Sequence, residues 1–187
     1  LGSVDCKNRI KAKFHQGFWH NGNGWLKMDK SRALTLSSLK QTKHSSIYRS
    51  RNENTISSIT YEFTEEHEKV LREWSLIISG FQRRGNRERF IFYMSTHPCS
   101  QILEFRINDE LVGFDWLIVI DDTVIHQLFP WKKKKYSRLG LGTYGKEKSL
   151  EIWPTEVHFF GKKDKFKDRF GGWTFEGAYT PQEEISH

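Results

Sequence analysis

Cysteine is nearly absent: Cys6 and Cys99 are the two in 187 residues, too few for a disulfide framework or a cysteine-based zinc site. A reducing, cytoplasmic setting without a metal centre is the expectation. Long apolar runs are missing as well. The stretch Trp116 to Ile120 lies between Asp115 and Asp121, and no run approaches the roughly 18–20 residues that cross a bilayer. This predicts a soluble chain with no membrane partner. Leu1-Gly2-Ser3 has neither Met nor a charged-then-apolar leader pattern, so it reads as a processing remnant or the interior of a longer chain and is set aside. Internal repeats and long low-complexity tracts are absent too, which leaves one fold to account for residues 4–187.

What the sequence does have is aromatic residues and positive charge. The 14% that is Phe, Trp or Tyr can fill a sizeable core. The formal net charge is +7, and residues 7–51 hold eleven Lys or Arg against one acid, Asp29, so the rest of the chain is slightly acidic. That segment either binds an anion such as nucleic acid or is a solvated basic surface.

Asn21-Gly22-Asn23-Gly24 reads as a turn between two short extended pieces, and 31–50 is polar and poorly periodic. The β-branched residues of 56–61 predict a strand. Thr64 is placed to cap a helix over 65–79, where Val70, Leu71, Trp74, Ile77 and Ile78 recur at helical spacing before Gly80. Residues 86–95 fit either a short helix or an extended segment. A three-stranded meander follows over 102–107, 111–120 and 123–129, with turns at Asn108-Asp109-Glu110 and Asp121-Asp122. After Pro130-Trp131 come a glycine-rich turn, a helix over 141–152, a strand over 156–160, a basic helix over 164–170 and an extended segment at 173–175. The order defines a mixed α+β chain with one central sheet.

A strand, a break, Gly140-Leu141-Gly142 and a helix in succession place unpaired backbone N–H groups where a phosphate is stabilised, although two glycines can also form nothing more than a tight turn. With Arg138 the element resembles the Gln/Arg-x-x-Gly-x-Gly/Ala motif of the GNAT acyltransferase superfamily, with Ser137 in place of the usual first residue. Phe166-Lys167-Asp168-Arg169-Phe170 is similar to the aromatic-Lys-x-x-Phe ending of the branch that includes the Fem aminoacyltransferases and arginyl-tRNA protein transferases. Arg138 through Thr143-Tyr144 resembles the Arg-Ser-Leu-Gly-Thr-Tyr segment of the latter, and the basic Tyr48-Arg49-Ser50-Arg51-Asn52 stretch is also like theirs.

The resemblance spans about residues 48–175 and implies a single GNAT-like domain, with a mostly antiparallel twisted sheet flanked by helices. It implies transfer of an aminoacyl group from aminoacyl-tRNA to an amine, forming an amide; the alternative is an acyl-CoA-dependent N-acyltransferase. Arg138, Gly140, Gly142, Thr143 and Tyr144 would hold the donor end, and Phe129 and Trp131 would wall the acyl pocket or belong to the core. Lys167, where acetyl-CoA enzymes carry a Tyr, would meet a tRNA phosphate or be a surface lysine, and residues 7–51 would meet the tRNA body. Donor substrate aside, no bound cofactor is implied. His126 and Asp115 are the candidate titrating residues, each with a structural alternative: a hydrogen-bonded sheet histidine and a turn-capping or lysine-paired carboxylate. His158 is a weaker candidate of the same kind. The cysteine cluster of arginyl transferases and the second half of Fem enzymes are both missing, which leaves the acceptor open between a metabolite, a peptide and a protein N-terminus.

Overall fold

A computed structural model describes residues 4–20, 22, 24–29, 34–36, 43–78, 84–160, 173–175 and 178–184. The elements in chain order are α1 (Val4–His15), β1 (Phe18–His20), β2 (Trp25–Asp29), β3 (Leu34–Leu36), α2 (Lys43–Arg51), β4 (Ile56–Thr60), α3 (Glu65–Ser75), α4 (Arg84–Thr96), β5 (Ser100–Ile107), β6 (Glu110–Ile120), β7 (Thr123–Leu128), α5 (Leu141–Ile152), β8 (Val157–Phe159), β9 (Trp173–Phe175) and β10 (Ala178–Glu184). The expected mixed α+β architecture, a mostly antiparallel sheet with helices against it, is the one observed. A seven-stranded sheet runs β4-β5-β6-β7-β8-β3-β9, with every pairing antiparallel except β7 with β8. The expectation of one sheet is corrected by a second one, in the order β1-β2-β10.

The meander forms where alternation and turn chemistry agree. Asn108, Asp109 and Asp121 all adopt positive φ, the conformation that short polar side chains tolerate in tight turns. β6 is apolar on both faces because both are covered. Phe114, Trp116, Ile118 and Ile120 pack with Val70, Leu71 and Trp74 of α3 and with Tyr93 and Met94 of α4. Val112 and Leu117 pack with Leu103, Phe105 and Val124 toward α5, where Leu141 and Tyr144 close the layer. Each fully buried large side chain here contributes about 2 kcal/mol. Asp115, between Phe114 and Trp116, is the carboxylate inside this run, and it is completely buried.

One helix boundary differs from expectation. α3 stops at Ser75, and Leu76 and Ile77 turn outward into solvent, which ends the apolar stripe early. Its start is capped from within: His67 Nδ1 accepts the Thr64 backbone N–H at 3.0 Å, and Nε2–H donates to Glu104 at 2.5 Å. The 86–95 segment is helical. The poorly periodic 31–50 region contains β3 and most of α2, and α1 was not anticipated. The basic helix expected over 164–170, with Lys167, lies outside the described residues.

Candidate active site at the divergence of two parallel strands

β7 and β8 pair only through Thr123–Val157, Val124–His158 and Ile125–Phe159. β7 runs on to Leu128 without that partner, so the strands part at His126, and α5 crosses between them. A bulge in the β6–β7 ladder between Trp116 and Leu117 sets His126 beside Asp115. The chain then leaves the ladder through Pro130 and enters α5 at Gly140, whose φ of 59° and ψ of 39° are left-handed.

Glycine is required at this position. A Cβ would lie 2.2 Å from the Tyr48 ring. α2 holds the turn from outside: Asn52 Nδ2 donates to the Leu139 carbonyl at 2.6 Å, and the Arg51 guanidinium donates to the Arg138 carbonyl at 2.9 Å. The basic 48–52 stretch and the glycine turn, distant in sequence, are thus one assembly. Tyr144 N–H makes the first helical bond, to Gly140 O, and the N–H groups of Leu141, Gly142 and Thr143 precede it at the positive end of the helix dipole.

Gly142 and Thr143 border a cavity of about 550 Å³ whose walls also include Tyr48, Phe129, Trp131 and Gly140, with Lys133 and Lys146 as its cations. No carboxylate lines it among the described residues. Of the sequence candidates, Phe129, Trp131, Gly140, Gly142 and Thr143 line the cavity. Arg138 lies in the exposed turn leading to it, and Tyr144 is buried behind it against Phe105.

Asp115 and His126 sit below the floor, and the residue that connects them to the cavity is Lys146, which was not singled out in the sequence. Lys146 Nζ is 3.1 Å from Asp115 Oδ2 and 3.2 Å from His126 Nδ1, and it stands 5.2 Å from the ring centres of both Phe129 and Phe160. Its side chain is 12% exposed, whereas Asp115 is at 0% and His126 at 2%. The available signal was its spacing, three and four residues beyond Thr143 and Gly142, which puts all three on one helix face.

The contacts fix how protons are shared. His158 Nε2–H donates to the Trp153 carbonyl at 2.9 Å, so its neutral Nδ1 accepts from His126 Nε2–H at 3.0 Å. His126 Nδ1 is then left facing Asp115 Oδ2 at 2.7 Å and Lys146 Nζ at 3.2 Å. One proton is shared in either of two arrangements, and the second places it in the 2.7 Å contact between His126 Nδ1 and Asp115 Oδ2. In one, the Lys146 ammonium donates to both Asp115 and His126. In the other, a single proton has moved to His126 Nδ1, which donates to Asp115 and leaves Lys146 a neutral amine. Both have one cation against one anion, so the move changes no net buried charge.

Burial pushes the Lys146 pKa down from 10.5, against the pull of Asp115. Burial works to raise Asp115, and the charges of Lys146 and His126 outweigh it, leaving the carboxyl below 3.8. Burial presses His126 to about 3, and His97, in the other layer, to about 3 as well. Below pH 6.5, the ordinary histidine value, the unfolded chain therefore binds protons that the folded chain refuses. Stability present above that pH falls as acid is added. At 1.36 kcal/mol per pH unit, each of the two histidines costs about 2 kcal/mol by pH 5. Urea unfolding at pH 7 and pH 5 is expected to differ by about 4 kcal/mol; equal stabilities would contradict both the neutral His97 ring and the refusal of a second proton by the Lys146–His126 pair.

No protein-family model matches the chain, and no curated protein does. Solved structures do. The chain is similar to L-PGS from Bacillus licheniformis, with TM-score 0.53 and 14% identity over 93% of this chain and 65% of that one. A conserved protein of unknown function from Bacteroides thetaiotaomicron matches with TM-score 0.55 and 13% identity over 94% and 66%. The C-terminal domain (DUF2156) of a putative lysylphosphatidylglycerol synthetase from Agrobacterium fabrum matches with TM-score 0.51 and 10% identity over 82% and 61%. This chain spans less than two thirds of each of those chains, and at such identities the likeness is one of fold. Among the described residues no helix is long and apolar enough to cross a membrane, and no cluster of His, Cys, Asp and Glu could hold a metal ion.

Proposed function

We propose that the chain is an acyltransferase that passes an aminoacyl group from the 3′ end of a charged tRNA to an amine. The observation that carries this reading is the cavity, where a helix N-terminus and two lysines meet aromatic walls with no carboxylate among the described lining residues. Such a lining favours an anionic occupant with a flat ring, which a terminal nucleotide supplies. Lys146 is the base. As a neutral amine it takes the proton from the attacking nitrogen as the C–N bond forms, and it returns that proton to the leaving 3′-oxygen as the C–O bond breaks. The N–H groups of Gly142 and Thr143 stabilise the phosphate or the carbonyl oxygen. Asp115 and His126 touch no substrate in this scheme; they position Lys146 and hold its proton.

The fold neighbour described as a putative lysylphosphatidylglycerol synthetase is named for a product that carries a lysyl group, which favours aminoacyl over acetyl transfer. The basic 7–51 segment divides between two places. Lys11 of α1 pairs with Asp121 at the β6–β7 turn, while Arg51 of α2 stands beside the cavity. In this reading the tRNA body approaches over α2.

Filter binding of mixed charged tRNA is the test, run beside a calorimetric titration with acetyl-CoA. The expected result is tRNA affinity that drops at least about tenfold between roughly 50 and 200 mM salt, with no acetyl-CoA heat. Micromolar acetyl-CoA binding with weak, salt-insensitive tRNA association would transfer the cavity to a CoA pyrophosphate instead.

A further inference from the structure

Beneath the cavity floor, the contact between Asp115 and His126 continues away from Lys146 through one more ring, His158, to the backbone carbonyl of Trp153. We propose that His158 is a positioning residue: its Nδ1 lone pair holds the His126 proton on Nε2, which keeps His126 Nδ1 open to the proton of Lys146 and so frees the Lys146 amine. The role rests on the reading of Lys146 as the base, and it belongs to a residue that touches neither the substrate nor Lys146.

The order of the protons is set from the far end, by an atom that can only accept. Trp153 follows the last residue of α5, where helix carbonyls lack intrahelical partners and the helix dipole is negative. Its carbonyl lies 2.9 Å from His158 Nε2 and obliges that nitrogen to carry a proton. His158 is fully buried, and burial lowers its pKa from 6.5, so the ring is neutral and carries that one proton alone. Nδ1 is therefore bare, and the His126 Nε2 that faces it at 3.0 Å must be an N–H. Reversing the chain would set two lone pairs against each other at Trp153. A carbonyl has no proton to pass on, so the chain orients and does not conduct. The charged groups that face it are Asp115 of β6, Lys146 of α5 and Glu156 just ahead of β8. Phe160 stacks on His126 at 4.0 Å with the planes 11° apart, which holds the ring in the plane that its two bonds require.

Both arrangements of the shared proton use the bond from His126 Nε2–H to His158. The one that makes Lys146 a neutral amine depends on it most, because His126 is then an imidazolium and the bond is charge-assisted. Without the acceptor, the neutral His126 ring keeps its proton where it is still answered, on Nδ1 against Asp115 at 2.7 Å. That nitrogen then takes nothing from Lys146, which stays an ammonium.

Trace acetylation by acetic anhydride, followed by peptide mass spectrometry, reads the free amine of Lys146 against pH in the whole protein and needs no tRNA. His158→Phe is expected to slow acetylation of Lys146 at least about tenfold near pH 7.5. The two rates are expected to converge above about pH 10.5, where the amine is free in either protein. His158→Asn, whose amide oxygen can stand in for Nδ1, is expected to restore the rate at neutral pH to within about threefold of wild type. A loss that is equal at every pH, as altered access to the lysine would give, or H158N as slow as H158F, would overturn the proposal. Ring nitrogen chemical shifts of the unsubstituted protein give a reading that needs no variant: protons on Nε2 of both His126 and His158 are expected, and a proton on His158 Nδ1 would overturn it. Failure of charged tRNA to bind would remove the base role of Lys146 and leave each of these readings unchanged.

Discussion

Lys146→Met is expected to lower enzyme-dependent transfer from charged tRNA to a small amine by roughly 10²–10⁴-fold, the range lost with a general base. Tenfold or smaller loss would remove the base role. Lys146→Arg separates charge from proton transfer. A guanidinium keeps the cation between the Phe129 and Phe160 rings but does not deprotonate in this environment. If Lys146 served only to attract an anion, Arg would preserve most of the rate; as a base it cannot be replaced, and K146R is expected to be as slow as K146M. The pH profile adds a third readout. Burial lowers the Lys146 pKa from 10.5, so the wild-type rate is expected to rise with pH along a limb below that value, and both variants should lose the limb.

Asp115→Asn carries the largest expected stability loss. The carboxylate is fully buried and balances the one positive charge that Lys146 and His126 share. Removing it strands a cation in the interior, for which about 3–5 kcal/mol is the usual cost. For a chain of this length that corresponds to a fall in Tm of roughly 10 °C. The double variant D115N/K146M removes the stranded charge along with its partner, and it is expected to be more stable than D115N alone. Additive losses in this cycle would show that the two side chains do not interact as their 3.1 Å contact implies.

The central meander was legible because three independent signals coincide there: alternating or continuous β-branched and aromatic residues, Asn-Asp and Asp-Asp turns, and a break at Pro130. α5 and its glycine entry were legible for a similar reason. α2 was not, because its sequence offers no apolar stripe; it is fixed by Asn52 and Arg51 binding the carbonyls of residues 138 and 139, partners that no local pattern encodes. α1 buries Ile10 while its other residues stay at least partly exposed, so its periodicity is faint. Asp115 and His126 stood out as titratable residues on neighbouring strands, and the fold sets Asp115 against Lys146 and His126 between Asp115 and His158. Their link to the cavity runs through Lys146, an ordinary lysine within a helix until the fold brings it to the strand divergence.

The placement of β3 bears on how the chain is assembled during synthesis. Leu34–Leu36 lies between β8 and β9, pairing Thr35 with Phe159 and Leu34 with Phe175. The meander joins neighbours in sequence and closes small loops, which makes its formation fast. β3 leaves the ribosome long before either of its partners has been translated. The strand synthesised earliest in the large sheet is therefore the one that must wait for residues 157–175, and the β8-β3-β9 edge is completed last.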